Sequence, residues 1–297
     1  MSIGKSLVVR PARDHAEAVA RFAELAARDD ANVIPEGRSR FLTAGRAAPL
    51  AVVLLHGYTN VPEQWMPFAE QLRERGHNVV IPRFPGHGIR GRSAKALAGV
   101  RADDFLRAAS AAVDVATGAG ERVVLAGLSI GGAMAAWLAL RRNDVTRAVP
   151  IVPLFGGARL NAPANRALAF ALGALPDFIV PWDPRGSTAD SPPYAYGEYS
   201  TRTLGQCLDI GLDVARSARS AVPIGTTTMI VNANEPACNN ALARDVATAF
   251  VRRRAGSCDV DVIDGLPANH DIIDRNNPQQ RTSVVYPRVL AAIERSG

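Results

Sequence analysis

The amino-acid sequence predicts an α/β fold, a mainly parallel sheet covered by helices, on three observations. From residue 50 onward, short β-branched or apolar runs alternate with amphipathic or alanine-rich stretches of helical length. A hydrophobic share of 47% beside 21% charged residues, at a mean hydropathy of +0.01, supplies a sizeable core and excludes wholesale disorder. The 297 residues are long enough for about two average domains, yet α/β folds routinely hold this length in one.

The elements follow in order. Residues 15–28 read as a helix leading into a short strand near 39–43, so that an N-terminal helical arm (1–37) feeds the edge of the sheet. Six strands come next: 51–55 (AVVLL), 78–82 (NVVIP), 122–126 (RVVLA), 147–152 (RAVPIV), 227–232 (TTMIVN) and 259–263 (DVDVI). Helices are expected near 63–75, 102–117, 131–141, 239–253 and 286–295. The interval 153–223 breaks the alternation with apolar helical stretches and a proline-rich, aromatic segment over 182–199. An insertion this long between two strands reads as a cap or lid. The expected core is therefore 1–152 plus 224–297, with the cap at 153–223.

Composition also excludes several function classes. The net charge of +6 and pI of 9.7 come from scattered basic residues, with Arg252, Arg253 and Arg254 the one run, so a solvated face and no nucleic-acid partner are expected. The N-terminal residues lack the apolar core of a secretory signal, which makes a cytoplasmic location the expectation. The most apolar stretch, 167–175, falls well short of the roughly 20 residues a membrane-spanning helix needs. Cys207, Cys238 and Cys258 contain no CxxC pair, so neither a zinc site nor a disulfide framework is expected, and the thiols read as reduced and structural.

The strongest local signal is the string GLSIGG, residues 127–132, directly after RVVLA and directly before an alanine-rich helix. A serine on so sharp a strand-to-helix turn projects Oγ above the sheet, and small residues two positions either side let the backbones approach. The following helix also points its N-terminal dipole at the turn. Ser129 is the expected nucleophile. Its hydroxyl needs a base, and of five histidines only His270 lies in a loop just after the last strand, on the same strand-end rim. His56 and His87 read as loop-bracing and structural. For the carboxylate that orients His270, the loop after RAVPIV offers none, whereas the loop after TTMIVN carries Glu235. Glu235 is the choice, with Asp264 and Asp271 as alternatives nearer in sequence to the histidine. The oxyanion donors are expected to be the backbone N–H groups of Ile130, next after the nucleophile, and Tyr58, in the loop HGYTN after AVVLL, where Gly57 lets the chain turn tightly.

With HGYTN, PGHG, GLSIGG and a late HD in this order, residues 38–295 resemble the α/β-hydrolase superfamily. The strings HGYTNVPEQW, NVVIPRFPGHG, WDPR, NANEPACNN and NHDIID are similar to its bacterial carboxylesterase and monoacylglycerol-lipase branch. The resemblance implies an eight-stranded sheet, a cap inserted after the sixth strand, and no cofactor. Such relatives generally carry aspartate where this chain has Glu235, one methylene longer. The expected activity is cleavage of carboxylic esters through an acyl-enzyme on Ser129. Transfer of the acyl group to another acceptor, and a catalytically silent binding protein on the same scaffold, are the alternatives. Leu168, Phe170, Leu172, Leu175, Phe178, Ile179 and Trp182 give the insertion an apolar character, so the expected partner is a small ester with an apolar acyl group that these residues line or pack beneath.

Overall fold

Strands buried on both faces need helices on both faces, and this chain supplies them. The computed structural model describes residues 3–4, 7–183 and 191–295. Helix α1 (His15–Ala26) leads to β1 (Arg40–Leu42), β2 (Ala48–Leu55), α2 (Met66–Glu74), β3 (Asn78–Ile81), α3 (Ala102–Ala119), β4 (Gly120–Leu128), α4 (Ile130–Ala139) and β5 (Val145–Ile151). The insertion contributes α5 (Ala162–Ala174), β6 (Ile179–Pro181), β7 (Glu198–Ser200) and α6 (Thr201–Ser217). Strand β8 (Thr226–Asn232), α7 (Asn240–Arg253), β9 (Cys258–Ile263) and α8 (Thr282–Glu294) follow.

Seven strands form one sheet in the order β1-β3-β2-β4-β5-β8-β9. Strand β1 is antiparallel to β3 at one edge, and all other pairings in this sheet are parallel. The resemblance implies eight strands and an insertion after the sixth; among the described residues the sheet has seven, and the insertion follows the fifth. The difference lies in the N-terminal arm, which forms α1 and a single three-residue strand, so every later strand stands one lower in the count.

Alternation along β2 divides the core. Val52 and Leu54 face a cluster with Trp65, Phe68 and Tyr286, whereas Val53 and Leu55 face one with Phe105, Met134 and Trp137. Each fully buried side chain of this size contributes about 1.5–3 kcal/mol. Helix α4 is buried along its whole length, as an apolar helix with no polar face must be. It also anchors the insertion. The Trp137 indole donates to Asp213 Oδ2 on α6 at 2.8 Å, and Arg141 reaches the same oxygen at 2.7 Å.

The apolar residues of the insertion separate into two sets. Leu168, Leu172 and Ile179 pack against the core. Phe170, Leu175 and Phe178 instead face solvent, at 78, 54 and 58% exposure, while Trp182, 45% exposed, lies against Tyr199 at 4.2 Å between ring centroids and meets Tyr58 edge-on at 6.1 Å. Residues Leu168 and Leu172, one turn apart on α5, share a face that Phe170 cannot share. Pro184 and Arg185 of the WDPR string lie outside the described residues. No helix among the described residues is long and apolar enough to cross a membrane.

Candidate active site

Ser129 caps α4 with φ 58° and ψ −115°, a conformation that costs a non-glycine residue about 1–3 kcal/mol. Its neighbours hold it there. The Ser129 N–H donates to Ile151 O at 2.9 Å, and its carbonyl accepts from Ala133 N and Leu154 N at 3.0 Å each. A Cβ on Gly127 would strike the backbone of Gly131, and one on Gly131 would strike the carbonyls of Leu55 and His56. The two glycines therefore let β4, the first turn of α4 and the end of β2 close on one another, which sets Ile130 beside the loop carrying Tyr58.

That loop turns over residues 57–60, closed by Asn60 N donating to Gly57 O at 3.2 Å, with the positive φ of 67° at Thr59. The insertion clasps it there: Trp182 Nε1 donates to Thr59 Oγ1 at 2.9 Å, Tyr196 N to Thr59 O at 2.9 Å, and the Tyr58 hydroxyl to Ser200 O at 2.8 Å. His56 lies beneath. Its Nδ1 meets Gly57 O at 2.9 Å, and its Nε2 accepts from Phe84 N at 3.4 Å. Burial, and then the neighbouring His87, hold its pKa well below the usual imidazole range, so it stays neutral. His87 bonds Pro85 O at 2.9 Å, and burial lowers its pKa to about 4.

Strands β8 and β9 are parallel neighbours, so the loops that follow them emerge side by side. His270 Nδ1 lies 2.8 Å from Glu235 Oε1. The same oxygen accepts from Ala237 N at 2.8 Å and Cys238 N at 3.0 Å. The extra methylene of Glu235 is thus taken up by a side chain that curls back onto its own loop. Its other oxygen, Oε2, is buried without a hydrogen-bond partner among the described residues. Asp264 is exposed, and Asp271 turns its carboxylate toward Asn60 and Gln64. The Glu235 side chain is fully buried, while 28% of the His270 side chain remains exposed. Burial alone would lower the His270 pKa; the charge and hydrogen bond of Glu235, and then the charge of Asp271, outweigh it and leave the pKa raised.

Cys238 belongs to this site rather than to the scaffold alone. Burial first, and the Glu235 charge second, raise its thiol pKa well above the usual range, with the neighbouring Ser129 hydroxyl acting the other way. Glu235, Cys238 and His270 present metal-ligating atom types within 4.8 Å of one another. The carboxylate and imidazole are bound to each other and the thiol keeps its proton, which suits proton transfer better than cation capture.

Other polar residues that sequence reasoning passed over hold the rim together. Asn232 Nδ2 donates to Pro267 O at 2.9 Å and Asn269 O at 3.0 Å, while its Oδ1 accepts from Asn234 N at 2.9 Å. Asn234 Nδ2 donates to Leu266 O at 2.8 Å. The Glu235 and His270 loops are thereby stitched together. Asn232 ends the apolar run TTTMIV and is fully buried, but nothing in that pattern names its partners.

Residues 52–280 match the alpha/beta hydrolase family. Over 144 residues the chain is 28% identical to the thermostable monoacylglycerol lipase of Bacillus sp. (strain H-257), covering 48% of this chain and 53% of that one. The match thus spans about half the length of that relative. Among solved structures, the metagenome-derived lipolytic enzymes LipS and LipT give a TM-score of 0.69 at 20% identity, over 88% of this chain and 98% of the other. A soluble variant of monoglyceride lipase from Saccharomyces cerevisiae, in complex with a substrate analog, gives 0.66 at 12% identity, over 86% and 91%. The monoacylglycerol lipase of Paleococcus ferrophilus gives 0.66 at 16%, over 85% and 95%. At these identities the structural likeness is one of fold.

Proposed function

The chain belongs to the alpha/beta hydrolase family, and from that premise we propose that it is a serine carboxylic-ester hydrolase acting on esters with an apolar acyl group. Ser129 Oγ attacks the acyl carbon as its proton passes to His270 Nε2, the ring nitrogen left free by the bond from Nδ1 to Glu235. The Tyr58 and Ile130 N–H groups receive the oxyanion, aided by the N-terminal dipole of α4. The carbon–oxygen bond to the alcohol breaks, the imidazolium returns the proton to the leaving oxygen, and water deacylates Ser129 by the reverse sequence.

The observation that carries this reading is the His270–Glu235 contact of 2.8 Å on the strand-end rim of a serine held at positive φ. Three further features support it: the raised imidazole pKa, the relatives named as lipolytic enzymes, and the four exposed apolar residues of the insertion, read here as a cap over residues 153–223. The test is reaction with a fluorophosphonate followed by peptide mapping, together with hydrolysis of esters of graded acyl length. Labelling at Ser129 and turnover that rises with acyl length are expected. Product analysis with an added alcohol separates hydrolysis from acyl transfer.

A further inference from the structure

Two loops of the proposed site lie far apart in the chain yet share one buried polar bridge. Gly57, immediately before Tyr58, donates its N–H to Gln64 Oε1 at 2.8 Å. Gln64 Nε2 donates to Asp271 Oδ2 at 2.8 Å, across 207 residues of sequence. Asn60, on the same loop as Tyr58, donates its Nδ2 to that oxygen at 3.0 Å. Gln64 and Asn60 are 1% and 5% exposed, so neither amide has water as a ready substitute partner. The other Asp271 oxygen accepts from Ile273 N at 3.3 Å and Asp274 N at 3.1 Å. Asp271 follows His270 directly.

We propose that Asp271 is a positioning residue for acyl transfer at Ser129, holding the oxyanion loop through Gln64 and Asn60 while its charge steadies the His270 imidazolium. The proposal rests on the ester-hydrolase reading above. Burial raises the Asp271 pKa, and the Gln64, Asp274 and Ile273 N–H donors together with the His270 charge oppose that rise and favour the carboxylate. The buried neighbour Asp274 takes the proton of the pair: burial, and then the Asp271 charge, push its pKa up to about 7. Asp274 meets the Tyr194 hydroxyl at 2.7 and 2.9 Å and Asn276 N at 2.9 Å, which ties the same cluster to the insertion. The titratable groups facing Asp271 are His270, Asp274, Tyr194 and Tyr286, with Arg275 acting on Tyr286; those facing His270 are Glu235, Asp271 and Cys238.

The sign of the effect is fixed by the role of the base. His270 accepts the Ser129 proton only when neutral, so kcat/KM rises with pH through its pKa. Asp271 raises that pKa, and removing its charge moves the acidic limb of the profile to lower pH.

The experiment compares pH profiles of ester turnover and of fluorophosphonate labelling for the wild type, Asp271→Asn, Asp274→Asn and Gln64→Met. In Asp271→Asn, kcat should fall roughly 10- to 100-fold with KM within about threefold, since the donor loop is loosened rather than the substrate site removed. Its acidic limb should move down by about 0.5–1 pH unit. Gln64→Met keeps the charge but cuts the bridge, so it should lose turnover with the limb in place. Asp274→Asn imitates the protonated partner and should stay within about threefold of wild type. A wild-type limb and wild-type kcat in Asp271→Asn overturn the proposal, as does a variant that only melts earlier. Should Asp271→Asn fail to fold, full turnover in Gln64→Met overturns the bridge by itself. Absence of wild-type labelling at Ser129 instead defeats the ester-hydrolase reading, so the two failures are distinguishable.

Discussion

The turn of Ser129, the proposed nucleophile, and the rim of Glu235 and His270, the proposed acid–base pair, are held in place by different means. Around Ser129, backbone does the holding: a positive φ, three backbone hydrogen bonds, and glycines at positions 127 and 131 that permit strand and helix to touch. Around Glu235 and His270, side chains do it. Asn232, Asn234 and Gln64 tie together loops that end different strands and share no short sequence pattern. A site of this kind has one part determined locally and another determined by contacts across the chain.

The largest effect should come from the locally built half. Ser129→Ala should fold normally and lose both phosphonylation and turnover, by about 10⁴-fold or more, with His270→Ala nearly as damaging because the residues act as a unit. Ser129→Gly sharpens the comparison. It loses the nucleophile equally but accepts φ 58° without strain, so it should be more stable than Ser129→Ala by about 1 kcal/mol, which thermal melts of the pair will read. Equal melting points would mean that the strain assigned to this turn is absent.

Glu235→Gln comes next. It removes the charge facing His270 Nδ1 and favours the wrong tautomer, so turnover should fall roughly 10²- to 10⁴-fold. The residual activity should have its acidic limb at lower pH, because Glu235 supports the raised imidazole pKa. Glu235→Asp should cost about tenfold: the shorter arm cannot both reach His270 and accept the Ala237 and Cys238 N–H groups. Near-normal turnover in Glu235→Gln alongside inactive Asp264→Asn would transfer the acid to Asp264 and break the comparison at its second half.

The same contrast explains what was legible in the sequence. Ser129, with its glycines, follows from a strand–turn–helix pattern, and β2, β4 and β8 follow from apolar runs. The pairing of Glu235 with His270 was reached by elimination along strand ends, which works because parallel strands deliver their loops to one rim. The amide stitching was not legible: Asn232, Gln64 and Asp271 are ordinary residues whose partners lie up to 207 positions away. The strand count was legible in the residues, whose edge strand near 39–43 and six later runs match the seven strands found; the eighth came from the resemblance, and the arm before residue 40 forms helix α1 by its own amphipathic pattern. The exposure of Phe170 and Phe178 was not legible either, because sequence spacing gives the face of a residue and not what covers that face.

Asn232→Ala tests the stitching directly. It unpairs Pro267 O, Asn269 O and Asn234 N, so a stability loss of about 2 kcal/mol and a kcat loss of roughly 10- to 100-fold are expected, with Ser129 still slowly labelled. A stability loss with unchanged kcat would show that the two loops keep their registration without it.

The smallest effect is expected at Cys238, although its thiol lies within 4.8 Å of ligating atoms of both Glu235 and His270, the proposed acid–base pair. Proximity alone would predict a severe phenotype. The thiol, however, is 3% exposed and kept protonated by burial and by the Glu235 charge, so it serves neither as base nor as nucleophile at neutral pH. The hydrogen bond that holds the acid loop comes from the Cys238 backbone N–H, which substitution leaves in place. Cys238→Ala should therefore change kcat by less than about threefold and cost about 1 kcal/mol of stability through lost packing. Turnover and melting temperature measured on one preparation decide it. Loss of activity comparable to Glu235→Gln, or acyl label found on Cys238 in place of Ser129, would mean that the side chain at this position shares the chemistry, and the division between backbone-held and side-chain-held halves would no longer describe the site.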